Sequence, residues 1–296
     1  MRLLAFGGWG QLGSDLADAS EGRVELIRPR RSETDVTDPD RVEAVVTSTR
    51  PDVVLDAAAF HKVELCEQDP ARSFAVNALG PLHVARSARR AGARCVFVST
   101  DYVFDGAVST GYREDDPPTP VNVYGISKAA GERAVGLACP DSLVVRGSGL
   151  FGHAGSSGKG GNFVETMLAK AGAGEAISVV DDQVFSPTST RDMAERILLL
   201  LERGVPSGIY HAANRGACSW YQLAEEIFRA AGLDPDLSPR PAGDQAVRRP
   251  SSSVLLDTRS AALGLPSSRS WQEAVRWYIE ARPASIQASA ENGTHR

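Results

Sequence analysis

Leu3-Leu4-Ala5-Phe6, followed by Gly7-Gly8-Trp9-Gly10-Gln11-Leu12-Gly13, is the stretch that decides the fold. Four consecutive apolar residues read as a strand buried on both faces, the glycines as a tight turn, and the residues beyond as the start of a helix. A strand–turn–helix of this kind gathers free backbone N–H groups and the positive end of a helix dipole, which suits a pyrophosphate. The glycines fit two registers, Gly8-x-Gly10-x-x-Gly13 and Gly7-x-x-Gly10-x-x-Gly13. The context, more than the spacing, points to dinucleotide binding; the competing reading is a turn with no ligand.

Outward from that turn, short apolar runs alternate with helical patterns. Val24–Ile27, Val53–Ala59, Cys95–Ser99 and Leu143–Arg146 read as strands. Asp40–Thr49, a long Pro70–Ala91 and Tyr124–Leu137 read as helices between them. Continuous apolar strands in βαβαβ order predict an α/β fold, a Rossmann-type doubly wound parallel sheet with helices on both faces. The character changes near residue 150, where a Gly/Ser loop (Gly152–Gly161) opens a second region with Pro-rich connections. The expected division is a nucleotide-binding domain over 1–149, completed by parts of 184–213. A smaller C-terminal substrate-binding lobe takes 150–183 and 214–282, and 283–296 is a flexible tail. The site belongs in the cleft, at the C-terminal ends of the strands.

Composition narrows the function classes. The 296 residues carry 32 Lys+Arg against 37 Asp+Glu, a net charge of −5, which gives no global attraction to nucleic acid. Hydrophobic residues at 42 % and charged residues at 23 % describe an ordinary globular chain. No apolar run reaches the length of a membrane span, and the N-terminus enters a strand directly, so a cytoplasmic location is expected. Cys66, Cys95, Cys139 and Cys218 form no CxxC pair and read as buried reduced thiols. Gly158-Lys159 is no Walker A end, because His153 stands where that motif needs Gly and Gly160 where it needs Ser or Thr. The loop around it reads as a lid or a linker. No metal-ligand spacing stands out.

The second strand bears on the cofactor. It ends Ile27-Arg28-Pro29-Arg30-Arg31, and a guanidinium such as that of Arg28 suits a ribose 2′-phosphate. Glu33, twenty residues after Gly13, is the competing signal for NAD. With the strand ending before it, NADPH is expected, with NADH as the alternative.

Tyr124-Gly-Ile-Ser-Lys128 carries the chemistry. At i and i+4 on a helix, phenol and ammonium share a face. An ammonium there is expected to stabilise the phenolate and lower the tyrosine pKa, fitting it for proton transfer beside a nicotinamide. Lys128 is one of only four lysines, with Lys62, Lys159 and Lys170. Ser99-Thr100-Asp101-Tyr102, about 24 residues upstream, closes a parallel strand, where a hydroxyl can meet a substrate carbonyl.

Together these features resemble the extended short-chain dehydrogenase/reductases, and within them the dTDP-4-dehydrorhamnose reductase family. The resemblance runs from Leu3 to about Ile279 through "GGWGQLG", "DVTDPD", "RPDVVLDAAA", "STDYVFDG", "PVNVYGISKAAGE", "GNFVETML", "VVDDQVFSPT" and "RRPSSSVLLD". It implies a catalytic triad on Thr100, Tyr124 and Lys128, with Ser99 the adjacent hydroxyl. It implies pyrophosphate contacts from Gly7, Gly10, Gln11 and Leu12. Asp35 and Val36 match the adenine-side segment, Ala57, Ala58 and Ala59 the stretch along the cofactor, and Lys128 the nicotinamide ribose. Tyr102, Asn162 and Arg249 match substrate-lobe positions, Arg249 facing the diphosphate. The implied reaction is NAD(P)H reduction of the C4 ketone of a dTDP-6-deoxyhexose, with a nucleotide sugar as partner and a homodimer allowed. Two segments depart from the pattern. Gly149 replaces a Trp beside the sugar, which is expected to open space and remove a stacking surface. Phe60-His61-Lys62-Val63-Glu64 replaces a Thr-Ala-Val-Asp type run. The rival readings are a sugar-nucleotide epimerase or dehydratase with bound NAD, and a non-catalytic NADP-binding regulatory subunit.

Overall fold

The computed structural model describes residues 1–154 and 161–282. Its main sheet has six strands, β1 (Arg2–Phe6), β2 (Glu25–Ile27), β3 (Val53–Asp56), β4 (Arg94–Thr100), β5 (Ser142–Gly147) and β6 (Gly208–His211). They run in the order β6-β5-β4-β3-β1-β2, every pair parallel. The apolar run of β1 explains itself in this setting. Leu3 and Ala5 enter one core while Leu4 and Phe6 enter the other, because successive side chains leave a strand on opposite faces. The first core takes α1 (Gln11–Ser20) and a helix over Thr190–Glu202, and the second takes α2 (Pro39–Thr49), α3 (Gly80–Arg90) and α4 (Val123–Ala138).

From β1 the chain goes to β2 on one side and returns to β3 on the other. The reversal leaves a crevice between the loops after β1 and β3. Strand β3 stops at Asp56, so Ala57, Ala58 and Ala59 lie in that loop rather than in the strand.

The single helix read over 70–91 is instead Pro70–Phe74, a π turn over Ala75–Leu79, and α3. Gly80 N–H bonds to Ala75 O, five residues back. Pro81 has no N–H to give the Asn77 carbonyl, and the widened turn accommodates that loss. A methyl on Gly131 would lie 2.2 Å from the Asn77 carbonyl oxygen, so the π turn packs directly on α4.

A separate hydrophobic cluster gathers Phe151, Val164, Met167, Leu168, Ile177, Phe185 and Leu223 with the inner face of helix Trp271–Glu280. That helix and Trp220–Ala231 both begin with capping boxes, on Ser270 and Ser219. No helix among the described residues is long and apolar enough to cross a membrane. The loop residues 155–160, with Gly158-Lys159, and the tail 283–296 fall outside the described residues.

Candidate active site

The crevice opens into a cavity of about 1280 Å³ that runs from the glycine turn to the separate cluster around Phe151, Val164 and Phe185. Gly7 forms its floor with φ +73°, and a Cβ there would sit 2.6 Å from the Ala57–Ala58 peptide. Only glycine allows β1 and β3 to close so tightly at that angle. Gly13 is equally constrained, its absent Cβ lying 2.3 Å from the Gly8 carbonyl carbon. Gly10 is the N-cap of α1 and caps with no side chain, so the first N–H groups of that helix, on Gln11 and Leu12, are left for a ligand. Gly7, Gly10, Gln11, Leu12, Asp35, Val36 and Ala57, Ala58, Ala59 all line the cavity. Ser99 lines it too, its hydroxyl buried and without a hydrogen-bond partner among the described residues. A floor that a single methyl would fill, an uncapped helix start and an orphaned hydroxyl fit a dinucleotide lying from α1 toward β4.

Thr100, Tyr124 and Lys128 meet at the ends of β4 and α4. The Thr100 hydroxyl donates to Asp101 Oδ1 at 3.0 Å and accepts the Tyr102 N–H at 3.2 Å. Its side chain also hydrogen-bonds the Tyr124 phenol, a contact that favours the ionised form of that group. The Lys128 ammonium, 2 % exposed, is 2.6 Å from the Val98 carbonyl and 4.0 Å from the Phe97 ring centre. Burial pulls its pKa down, opposed by the carboxylates of Asp56 and Glu132. Asp56, fully buried beneath, is pushed up by the same desolvation. One expectation is corrected here. The Tyr124 phenol is raised rather than lowered, because burial dominates and the Thr100 hydrogen bond only partly offsets it. The Lys128 ammonium donates to the Val98 carbonyl, and Asp56 is the carboxylate that most favours its charged form.

Around the second strand the structure separates the basic residues. Arg28 does not line the cavity. Its guanidinium donates to the carbonyls of Gly8 at 3.2 Å and Gly13 at 3.4 Å, bracing the turn from outside. Arg31 lines the cavity and pairs with Asp35 at 3.0 Å. Glu33 accepts the Arg30 N–H at 2.7 Å and closes its own loop.

On the far side, Tyr102, Gly149, Asn162 and Arg249 all border the cavity, as do His61 and Lys62. The Tyr102 ring meets Tyr124 edge-on at 5.9 Å, and burial pushes its phenol up to about 12. Arg249 is ion-paired with Glu64 and donates to Gln245 at 2.8 Å, so a cation from the C-terminal region reaches across to the short helix Val63–Gln68 that follows β3. Asn162 has a structural task. Its oxygen caps helix Phe163–Gly172, and its amide donates to Gly152 O and to the Tyr278 phenol. The space expected at Gly149 is filled. A Cβ there would lie 2.2 Å from a Phe185 ring carbon, and Phe185 stacks on Trp220 at 4.1 Å. The aromatic surface comes from another part of the chain.

Two further contributors stand beside the triad, Asp101 and Asn122. Asp101 is fully buried, accepts from Ser148 at 2.7 Å and Ser253 at 2.5 Å as well as from Thr100, and its pKa is raised by burial. Asn122 caps α4 through Gly125 N–H and donates to Arg248 O at 2.9 Å. Its place just before Tyr124 was a readable cap signal. Among the described residues no group of three or more His, Cys, Asp or Glu is placed to hold a metal ion.

Comparison with known proteins gives the family. The family model described as the RmlD substrate binding domain matches residues 1–283. The chain is 42 % identical over 287 residues to dTDP-4-dehydrorhamnose reductase of Mycolicibacterium smegmatis, covering 93 % of this chain and 84 % of that one. It is 36 % identical over 288 residues to the spore coat polysaccharide biosynthesis protein SpsK of Bacillus subtilis, covering 96 % and 99 %. The crystal structure of Bacillus anthracis dTDP-4-dehydrorhamnose reductase in complex with NADP superposes with a TM-score of 0.89 at 33 % identity, covering 94 % of this chain and 98 % of that one. With the family model spanning almost its whole length, the chain belongs to the dTDP-4-dehydrorhamnose reductase family of the extended short-chain dehydrogenase/reductases.

Proposed function

We propose that the protein reduces the C4 ketone of a dTDP-4-keto-6-deoxyhexose with NADPH. The observation that carries this is the placement of Thr100, Tyr124 and Lys128 in one cavity with the glycine turn at one end and Arg249 at the other. When bound, NADPH supplies the hydride. Gly7, Gly10, Gln11 and Leu12 would hold its pyrophosphate, and Ala57, Ala58 and Ala59 the path toward β4. Tyr124 gives its proton to the carbonyl oxygen, and a phenol kept protonated by burial is suited to that direction. Thr100, bonded to the phenol, aligns it. Lys128 holds the nicotinamide ribose and places a positive charge behind the phenol as it loses its proton. Arg249 faces the substrate diphosphate, exchanging Glu64 for it, and Tyr102 and Phe185 present ring faces to the sugar. In this reading, residues 1–149 with parts of 184–213 bind cofactor, and 150–183 with 214–282 bind substrate. A cytoplasmic location and a homodimer belong to the same proposal, the latter to be read from sedimentation.

The test follows NADPH oxidation with dTDP-4-keto-6-deoxyglucose, alone and with a 3,5-epimerase. Absence of turnover in both conditions refutes the reading. Tyr124→Phe should lower kcat by about 10²–10⁴ while NADPH binding stays within about twofold. Equal loss of both would make Tyr124 structural.

A further inference from the structure

Trp9 stands in the glycine turn, 49 % exposed, where a small residue would suffice for a tight turn. The Arg28 guanidinium lies 4.4 Å from its ring centre and that of Arg30 4.2 Å. The indole N–H donates to the Arg28 carbonyl at 2.9 Å, which fixes the ring against the end of β2. The two arginines are not equivalent. Arg28 is occupied by the Gly8 and Gly13 carbonyls, and the Gly8 Cα packs so close to it that a Cβ would lie 2.7 Å from Arg28 Cγ. The Arg30 guanidinium meets no carboxylate or carbonyl among the described residues; its contact is the indole face. Arg31 is neutralised locally by Asp35, and the Glu33 carboxylate is turned to the Arg30 N–H. Trp9, Pro29 and Arg31 line the cavity, and Arg30 lies against the indole just outside that lining.

Resting on the NADPH reading, we propose that Trp9 is a specificity-determining residue. It holds Arg30 as the group that recognises the 2′-phosphate of the cofactor. Left to itself, an exposed arginine samples many rotamers and gives up that freedom on binding. Stacked on an indole, the planar fork is already restricted, and its N–H edge stays open because cation–π contact uses the face. Arg28 is the brace of the turn, so the arginine nearest β2 is not the phosphate ligand. The Glu33 carboxylate, tied to its own loop, is withdrawn from the ribose hydroxyls that an NAD site would engage.

The test measures binding of 2′,5′-ADP and of 5′-AMP to the full chain by calorimetry, with no turnover involved. The unsubstituted protein should bind 2′,5′-ADP at least about tenfold tighter. Arg30→Gln and Trp9→Leu should each abolish most of that preference and leave 5′-AMP affinity within about twofold, which also reports that the turn is folded. Trp9→Phe, keeping an aromatic face, should restore more than half of the preference on a logarithmic scale. Retention of the preference in Arg30→Gln, or its loss only in Arg31→Gln, overturns the inference. Equal binding of the two nucleotides by the unsubstituted protein overturns it as well while leaving the nucleotide site intact. Failure to bind either nucleotide overturns the site reading itself, and this inference with it.

Discussion

Glu132→Gln is the perturbation with the largest consequence readable from the geometry. Arg146 Nε and Nη2 meet the two Glu132 oxygens at 2.8 and 2.7 Å, with side-chain exposures of 0 % and 5 %. Arg146 Nη1 approaches His211 Nε2 at 3.4 Å, and His211 Nδ1 lies 3.0 Å from the Leu256 carbonyl. A guanidinium only donates and a carbonyl only accepts, so His211 carries its proton on Nδ1 and is neutral. Burial lowers its pKa, consistent with that state. Glu132 is therefore the carboxylate that balances Arg146. Glutamine keeps the shape, retains one acceptor and turns an N–H toward the guanidinium. Breaking a buried pair from one side costs about 3–5 kcal/mol, against about 0–1 for a surface pair. That is a large part of an overall stability of about 5–15 kcal/mol. A urea titration should show an earlier midpoint at unchanged slope. The same substitution removes a negative charge that favours the ammonium of Lys128. Lys128 then gives up its proton at lower pH, so the alkaline limb of kcat against pH moves to lower pH. A loss below about 1 kcal/mol, or an alkaline limb displaced upward, would refute the reasoning.

Two further outcomes follow from the site. Gly149→Trp should destabilise by about 1–3 kcal/mol through collision with Phe185, and Phe185→Ala in the same chain should recover part of that loss in thermal melts. Asn122→Ala should cost about 1 kcal/mol of stability and raise KM for the nucleotide sugar more than for NADPH. Asn122→Ser, which keeps the cap but loses the Arg248 contact, should recover the stability and not the KM.

What the sequence revealed was what is local. Leu3–Phe6 with its glycines, and Tyr124 with Lys128, need only the geometry of one strand, one turn and one helix face. The sheet follows from repeating that pattern. The charges beneath the site were hidden because strand pairing assembles them. Glu132 and Arg146 lie on α4 and β5, and Asp56 and Lys128 on β3 and α4. Polar residues inside apolar runs gave no hint of their partners. Pro81 was in plain view, yet its effect is to widen the turn before it rather than to end a helix. The spacing around Arg28, Arg30 and Arg31 announced a basic loop and could not assign tasks within it; the carbonyls of Gly8 and Gly13 do that. At Gly149 the missing side chain was legible, and the ring that replaces it was not, since Phe185 comes from the distant strand Val184–Phe185.

The buried Asp101 carboxylate draws its hydroxyl donors from positions 1, 47 and 152 residues away. During synthesis, β1 to β5 and the helices between them can pair as they emerge. The anion beside Thr100 then waits for Ser253, and the edge of β5 waits for β6. Contacts at such separations form late, because the loops they close are long. A ribosome-bound chain lacking its last fifty residues would thus have its Rossmann strands and an unfinished catalytic corner. Acquisition of activity on refolding should lag behind acquisition of sheet structure.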